Sequence, residues 1–395
     1  MSVEHIWLSS PDMGGDERTF IERAFDDNWI APLGKNVDEF EIALAARCGV
    51  TDAVAVSSGT AAIHLGLQLL GVGPGDLVMV QSLTFAASAF PVLYQGAQPI
   101  FIDSEADTWN MSPRALEAAL IACREAQCMP KAIIVVDLYG YPANYKELVP
   151  LAEYFGVPIL EDAAEALGSQ YLGKPCGSFG TLGTLSFNGN KIITTSGGGA
   201  LLTTDASMAQ RARYLSTQAK VPAPYYWHSE VGYNYRLSNI LAGIGLGQLE
   251  VLDDHIAARR TVFDRYVEAL NGKSRFSFLG GKEGIFSNRW LTTVSVDGFT
   301  MEDVQYVVNR MAASEVEARA VWCPMHLQPV FSDCDFWTEN AVCVNSKHRG
   351  SEIDESVAGA AFRSGVCLPS GSDLTESNQD RVVSLFLQAV AEVDS

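Results

Sequence analysis

From about residue 53 onward, short apolar runs rich in β-branched residues alternate with stretches of helical periodicity. The runs begin roughly 20–35 residues apart, which is the spacing of right-handed βαβ units around a mostly parallel sheet. Strands are predicted at residues 53–57, 77–81, 99–103, 132–137 and 157–162, and helices at 60–70, 86–94, 113–126 and 144–155. Ser112, before Pro113, is a predicted N-cap. This alternation is typical of an α/β fold.

The rest of the chain predicts a second, smaller domain. Strands near residues 183–187 and 200–204 flank a glycine-rich turn and are expected to form a hairpin-like excursion. A long helical pattern at 238–270 leads to a strand at 291–296, a helix at 301–313, a strand near 317–322 and a last helix from about 376. We therefore expect a large domain at 1–250, including an N-terminal segment at 1–35, and a small α+β domain at 251–395. The polar stretch 333–353 is expected to be a loop or lid.

Composition narrows the classes of partner. The chain has 27 Lys and Arg against 47 Asp and Glu, a formal charge of −20, so nucleic acid or an anionic membrane would repel most of its surface. We recognise no apolar run long enough to span a membrane and no secretory leader, so we expect a cytoplasmic protein. Eight cysteines and six histidines are scattered without the spacing of metal ligands, so no metal site is expected.

The predicted strand ends carry the polar residues that matter most, because ligands of open α/β sheets bind beyond the carboxyl ends of the strands. Ser57-Ser58-Gly59-Thr60 follows the first strand and opens a helix, whose first amides can bind an anion. An ordinary N-cap at Ser58 is the alternative interpretation of that motif. Asp137 and Asp162 end two further strands.

Lys191 stands out among the lysines. It lies in the segment 186–199, Ser-Phe-Asn-Gly-Asn-Lys-Ile-Ile-Thr-Thr-Ser-Gly-Gly-Gly, and no charged residue is closer in the sequence than Asp205. Loss of water favours the neutral, nucleophilic form of an amine, although a surface lysine on a β-hairpin would show the same pattern. Asp162, roughly thirty residues earlier, is followed by small residues that leave room for a flat ring. The lysine, the carboxylate and the anion-binding helix start together match what pyridoxal phosphate requires.

Seven motifs in this order resemble one known family along essentially the whole chain. They are residues 28–34 (NWIAPLG), 57–64 (SSGTAAIH), 161–165 (EDAAE), 186–191 (SFNGNK), 232–236 (GYNYR), 319–329 (RAVWCPMHLQP) and 367–371 (CLPSG). The chain resembles the DegT/DnrJ/EryC1/StrS family of sugar-nucleotide aminotransferases. That resemblance implies fold type I of the pyridoxal-phosphate enzymes, the aspartate-aminotransferase fold. We expect a large domain around a mixed, mostly parallel sheet and a smaller α+β C-terminal domain.

The resemblance also implies roles for individual residues. Lys191 is implied to be the Schiff-base lysine and general acid/base, Asp162 the partner of the pyridine nitrogen, and Phe85 a ring that stacks on the cofactor. The other assignments are Gly59, Thr60 and Ser186 to the phosphate, Glu165 to the phenolic oxygen or the sugar, and Arg236 and His326 to the substrate. A homodimer is implied, in which Asn234 of the partner subunit completes the phosphate site.

The substrate that the resemblance implies is a nucleotide-linked keto-sugar. Residues 188–199 and 324–331 look most like enzymes that act on UDP-2-acetamido-2,6-dideoxy-4-ketohexose with L-glutamate as amino donor. Those enzymes make UDP-4-amino-4,6-dideoxy-N-acetylglucosamine, a precursor of bacillosamine-type sugars in bacterial glycans. Leu246 and Cys323 depart from the pattern, because a basic residue is expected at both positions. Fewer positive charges would alter the handling of the nucleotide diphosphate.

Three alternatives remain open on the sequence. The first keeps the reaction and changes the substrate to GDP-4-keto-6-deoxymannose, as in perosamine synthesis. The second is a pyridoxamine-dependent dehydration, for which some relatives replace the lysine by histidine, so Lys191 counts against it. The third is a cofactor-bound regulatory or structural protein without turnover, which the full set of lysine, carboxylate and phosphate-binding residues disfavours.

Overall fold

The computed structural model describes residues 4–271, 275–344 and 356–394. The helices in these ranges are α1 (Glu17–Asp26), α2 (Lys35–Cys48), α3 (Gly59–Leu69), α4 (Ala86–Tyr94), α5 (Pro113–Glu125), α6 (Tyr145–Phe155), α7 (Ala206–Ser216), α8 (Asn239–Glu250), α9 (Leu252–Leu270), α10 (Met301–Ala312), α11 (Val357–Ser364) and α12 (Glu376–Val393). In these ranges no helix is both long and apolar enough to cross a membrane.

The strands form one large sheet and three smaller ones. They are β1 (Asp52–Val56), β2 (Leu77–Gln81), β3 (Gln98–Ile102), β4 (Ala132–Val136), β5 (Ile159–Asp162), β6 (Gln170–Tyr171), β7 (Lys174–Pro175), β8 (Leu182–Ser186), β9 (Gly199–Thr203), β10 (Lys220–Val221), β11 (Trp227–His228), β12 (Phe276–Phe278), β13 (Ile285–Phe286), β14 (Thr292–Val296), β15 (Arg319–Ala320), β16 (Phe336–Trp337), β17 (Cys343–Val344) and β18 (Gly365–Leu368). The predicted strands and helices up to residue 162 are confirmed, with boundaries that shift by no more than two residues.

The large sheet has the order β1-β9-β8-β5-β4-β2-β3-β16-β17 and is buried on both faces. Alternate side chains of β2 explain its apolar sequence. Val78 and Val80 pack in a core cluster that includes residues of α3, α4 and α7, whereas Met79 between them packs with residues of α5 and α6. Helices on both faces therefore require an unbroken apolar strand rather than an alternating one. The predicted N-cap is also confirmed, because the Ser112 side chain accepts a hydrogen bond from the amide of Ala115 at the start of α5.

Two strands make the sheet mixed. β8 runs parallel to β5, and β9 then returns antiparallel between β8 and β1. The predicted hairpin thus lies inside the large sheet rather than beside it, which corrects the expectation of an excursion. Its turn, residues 187–198, holds Lys191 at the carboxyl end of β8.

Two expectations about the second half need correction. The helical pattern at 238–270 is two helices, because α8 ends at Glu250 and α9 begins at Leu252. The stretch 333–353 is not only a loop, since β16 pairs parallel with β3 and antiparallel with β17, and so extends the large sheet. Two-residue strands have too little periodicity to be recognised in a polar sequence. Residues 345–353 lie outside the described part of the chain.

A second, antiparallel sheet in the order β12-β14-β18-β15 forms the small α+β unit. Its core cluster combines Val294 and Val366 of the sheet with Tyr266 of α9, Val307 of α10 and Phe386 of α12. The division near residue 250 stays a prediction, and two segments pack across it. Ile6 forms a bridge with Val316, and β16 joins the large sheet.

Candidate active site

A cavity of about 880 Å³ opens at the carboxyl ends of the central strands. Val136 of β4 and Asp162 of β5 line its floor, while residues of α10 and β15 line it from the small unit. The charged side chains in its described lining are Asp162, Glu165, Lys191, Glu317 and Arg319. The structure therefore brings the predicted lysine and the predicted carboxylate into one cavity.

The start of α3 forms one wall of this cavity. The Ser58 hydroxyl accepts a hydrogen bond from the Ala61 amide at 3.0 Å, so Ser58 is an N-cap. The amides of Gly59 and Thr60 lie in the first turn, where no carbonyl of the helix can accept from them. A Cβ added to Gly59 would lie 3.0 Å from the Cβ of Ser186, so these two residues face each other closely. The N-cap and the anion-site interpretations are therefore compatible, and this wall is suited to a phosphate.

Asp162 is a buried carboxylate that accepts hydrogen bonds at both of its oxygens. Its Oδ2 accepts from the Ser88 hydroxyl at 2.6 Å, and its Oδ1 accepts from the Ala164 amide at 3.2 Å. Burial raises the pKa of Asp162, and the hydrogen bonds from Ser88 and Ala164 together with the charge of Lys191 oppose that rise. A cationic ring nitrogen beside this oxygen pair would offset the remaining desolvation, so the site suits a protonated pyridine.

Lys191 is held in place by the turn that precedes it. The carbonyl of Asn190 accepts hydrogen bonds from the Trp290 indole at 2.6 Å and from the Ser9 hydroxyl at 2.8 Å. The Lys191 side chain is only 11% exposed, and its Nζ lies 3.2 Å from Glu165 Oε1 and 4.0 Å from the centre of the Trp290 ring. The surface-lysine interpretation is therefore wrong.

Aromatic side chains form the remaining wall. Phe85 lines the cavity with 57% of its surface exposed, and its ring centre lies 5.6 Å from that of Trp322. An apolar ring this exposed at the mouth of a polar cavity is suited to cover a flat ligand. The stacking role predicted for Phe85 remains a proposal that this placement supports.

Three predicted residues do not line the cavity. His326 is fully buried, with its Nδ1 2.6 Å from the Ser82 hydroxyl and its ring stacked on Phe336. The Arg236 guanidinium is bound to Glu41 and to the carbonyl of Ala55. Neither side chain lines the cavity of its own chain, and their contact with substrate stays a prediction. Asn234 is exposed on the surface and is considered below.

Several residues that line or support the cavity were missed by sequence reasoning. Ser88 bonds to Asp162, Trp290 lies under the Lys191 amine, and the Tyr139 amide donates to Glu165 at 2.7 Å. The sequence carries no periodicity or spacing that distinguishes these residues from ordinary core residues. Ser88 and Tyr139 reach the site within the large unit, whereas Trp290 reaches it from the segment before β14.

One group of potential metal ligands occurs among the described residues, namely Asp137, Glu161 and Cys176, all buried. Both oxygens of Glu161 accept backbone amides, including that of Phe179 at 2.6 Å. Burial and the nearby charge of Glu161 raise the pKa of Asp137 well above its ordinary value. Burial also raises the pKa of Glu161, and so disfavours the ionisation of both carboxyl groups.

The donor set of the cavity fits pyridoxal phosphate: a helix start for the phosphate, a buried carboxylate for the ring nitrogen and an amine on the same floor. A mixed α/β sheet with this site defines a pyridoxal-phosphate-dependent enzyme of fold type I. Comparison with known proteins agrees. Residues 11–387 match the DegT/DnrJ/EryC1/StrS aminotransferase family.

Individual relatives of the chain include aminotransferases and enzymes named for sugar synthesis. A Bacillus subtilis (strain 168) protein named Putative pyridoxal phosphate-dependent aminotransferase EpsN is 50% identical over 390 residues, 98% of this chain and 97% of that protein. GDP-perosamine synthase of Caulobacter vibrioides is 37% identical over 394 residues, 98% of this chain and 99% of that protein. The crystal structure of a DegT DnrJ EryC1 StrS aminotransferase from Brucella abortus superposes with a TM-score of 0.83 at 30% identity, over 94% of each chain.

The chain belongs to the DegT/DnrJ/EryC1/StrS aminotransferase family. It is a pyridoxal-phosphate-dependent sugar aminotransferase, and its cofactor is pyridoxal phosphate or the pyridoxamine form of it.

Proposed function

We propose that this enzyme transfers the amino group of L-glutamate to C4 of UDP-2-acetamido-2,6-dideoxy-4-ketohexose, giving UDP-4-amino-4,6-dideoxy-N-acetylglucosamine. The observation that carries the amino-transfer part is the lysine of the cavity, whose Nζ lies 3.2 Å from Glu165 in the same lining as Asp162. A lysine at this position favours transamination over dehydration. The UDP-sugar part is supported by the resemblance of residues 188–199 and 324–331 to enzymes that act on that substrate.

The residues of the cavity have different roles in the proposed reaction. Bound pyridoxal phosphate supplies an aldehyde that carries the amino group and a ring that takes up electrons. In our proposal Gly59, Thr60 and Ser186 bind the phosphate, and Asp162 holds a proton on the ring nitrogen. Lys191 moves a proton at the carbon that gains or loses the amine, as a general acid/base on the floor of the cavity.

A GDP-linked sugar is the second candidate, GDP-4-keto-6-deoxymannose. The observation in its favour is the 37% identity to a GDP-perosamine synthase over nearly the whole chain.

The two positions where a basic residue is expected, Leu246 and Cys323, lie in different parts of the structure. Cys323 lines the cavity, so it can affect a bound diphosphate, whereas Leu246 packs in the core behind the sheet.

The sugar nucleotide is tested by steady-state kinetics with L-glutamate and a panel of UDP-, GDP- and dTDP-linked 4-keto-6-deoxy sugars. We expect the highest kcat/KM for the UDP-linked 2-acetamido sugar, with the amine at C4 identified by NMR of the product. A higher kcat/KM for the GDP-linked keto-sugar would make the UDP assignment wrong and the second candidate right.

We also propose a homodimer with composite active sites. Asn234 is exposed, and it does not line the cavity of its own chain. The neighbouring hairpin of β10 and β11 exposes Tyr225, Tyr226 and Trp227 by 64%, 82% and 54%. Clustered exposed aromatic side chains are typical of a protein interface. In our proposal this hairpin packs on a second copy, and Asn234 of the partner subunit donates to the phosphate.

Subunit mixing tests this proposal. Lys191→Ala chains lack the amine, and Asn234→Asp chains bring a negative charge toward the phosphate, so each homodimer is expected to be inactive. Heterodimers purified through two different tags should recover one working site of two, because one site then combines an intact Lys191 with an intact Asn234. Absence of recovery in isolated heterodimers would mean that each site is built within one chain.

We expect the enzyme in the cytoplasm. The eight cysteines all lie in the described residues, and none of them is in a disulfide. Reduced thiols are the rule in that compartment.

A further inference from the structure

Glu165 lies 3.2 Å from the amine of Lys191, and the resemblance leaves its role open between the phenolic oxygen of the cofactor and the sugar. We propose that Glu165 is the proton partner of Lys191: its Oε1 accepts the proton that leaves Nζ, so the amine becomes neutral without passing a proton to water. Glu165 is thus a positioning residue that acts through Lys191. The inference rests on the amino-transfer part of the proposed function and not on the identity of the sugar.

The two groups form a close pair that water hardly reaches. Nζ and Oε1 are 3.2 Å apart, and the side chains of Lys191 and Glu165 are only 11% and 4% exposed. Because water hardly reaches the two groups, hydration stabilises the charged pair only weakly relative to the neutral pair. Transfer of one proton across a single hydrogen bond interconverts the charged pair and the neutral pair.

The carboxylate is fixed so that Oε1 points at the amine. Its Oε2 accepts the backbone amide of Tyr139 at 2.7 Å, and Tyr139 has φ of 54°, a backbone region that non-glycine residues seldom adopt. The main-chain carbonyl of Glu165 accepts from the Asn288 side chain at 2.9 Å. With its backbone and one oxygen held, Glu165 has its second oxygen directed at Lys191.

Burial and the surrounding charges together bring the pKa of Glu165 close to neutral pH. Burial raises the pKa of Glu165 to about 7, while the charge of Lys191 and the Tyr139 amide oppose the rise and the charge of Asp162 adds to it. The other titratable groups facing it, Tyr139 and Cys367, are themselves buried, and burial raises the pKa of each so that both stay neutral. An acid with this pKa can both accept and release a proton near neutral pH.

Trp290 also contacts the amine of Lys191 and opposes its loss of a proton. The face of its ring lies 4.0 Å from Nζ and favours the ammonium form.

In the proposed step the N–H bond at Nζ breaks, an O–H bond forms at Oε1, and the charges of both groups disappear together. No oxidation or reduction occurs, and the net charge of the cavity is unchanged.

The matched variant is Glu165→Gln, which keeps the shape but cannot take the proton. The primary measurement is the single-turnover reaction of the cofactor-loaded enzyme with L-glutamate alone, over a pH series, which involves no sugar nucleotide. We expect wild type to lose rate below about pH 7 as Glu165 becomes protonated, and Glu165→Gln to be about 10²-fold slower without that acid limb. Glu165→Asp should restore the limb, because a carboxylate is present again.

A second measurement uses the full chain without cofactor. The rate at which acetic anhydride acylates Lys191 is followed against pH by peptide mass spectrometry. Glu165→Gln should become reactive at lower pH than wild type, since the anion that stabilises the ammonium is gone. The control is Glu317→Gln, which removes another cavity carboxylate that pairs with Arg319 and should leave the Lys191 profile in place. An unchanged acid limb or an unchanged acylation profile in Glu165→Gln would overturn the proposal, whichever sugar the enzyme uses.

Discussion

Replacement of Lys191 by alanine is expected to lower transamination by roughly 10³-fold or more, because proton movement at the reacting carbon loses the amine that performs it. Lys191 and Arg319 are the cationic side chains in the described lining of the cavity, and a guanidinium does not release a proton at neutral pH. The measurement is kcat with L-glutamate and the preferred keto-sugar. An activity within about tenfold of wild type would exclude Lys191 as the general acid/base.

The same variant should still bind the cofactor. The start of α3, Ser186 and Asp162 are unchanged by the substitution, and they hold the phosphate and the ring nitrogen in our proposal. Cofactor content of the purified variant checks this expectation. In wild type, borohydride reduction and peptide mapping should place the cofactor label on Lys191, and a label on another lysine would contradict the assignment. Lys35→Ala is the control, since that side chain is 63% exposed at the start of α2 and pairs with Glu39 on the surface.

The sheet and most of the predicted residues that line the cavity could be read from the sequence because both depend on local signals. Buried strands such as β4 need continuous apolar residues, and the carboxyl ends of such strands meet at one edge, so Asp162 and the Gly59 turn fall together. Lys191 is recognisable because its segment lacks other charges. Each of these features can be read within about fifteen residues of the chain.

The partners of these residues cannot be read in that way. Glu165 and Lys191 meet because β5 and β8 are neighbouring parallel strands, and Trp290 reaches them from the segment before β14. The chemistry of Arg236 is also ambiguous on the sequence, because a guanidinium pairs equally well with a carboxylate of a ligand or of the chain. Only the position of Glu41 beside it shows which partner it has.

The second large effect is expected for Asp162→Asn. An asparagine keeps the shape, so the hydrogen bond of Ser88 to the side-chain oxygen survives, but it cannot hold a proton on the ring nitrogen as an anion does. Electron uptake by the ring should then fail, and kcat should drop by roughly 10²–10⁴-fold. Near-normal turnover would refute the role of Asp162.

The fold of this variant should remain intact, because burial already raises the pKa of Asp162 and a neutral amide at the same place carries a smaller desolvation penalty than a carboxylate. A thermal unfolding midpoint equal to or above that of the cofactor-free wild type would check this point. Ser88→Ala is the graded control: it removes one donor to Asp162 and keeps the carboxylate, so its loss of kcat should be much smaller. If Ser88→Ala were as slow as Asp162→Asn, the position of the side chain rather than its charge would account for the loss.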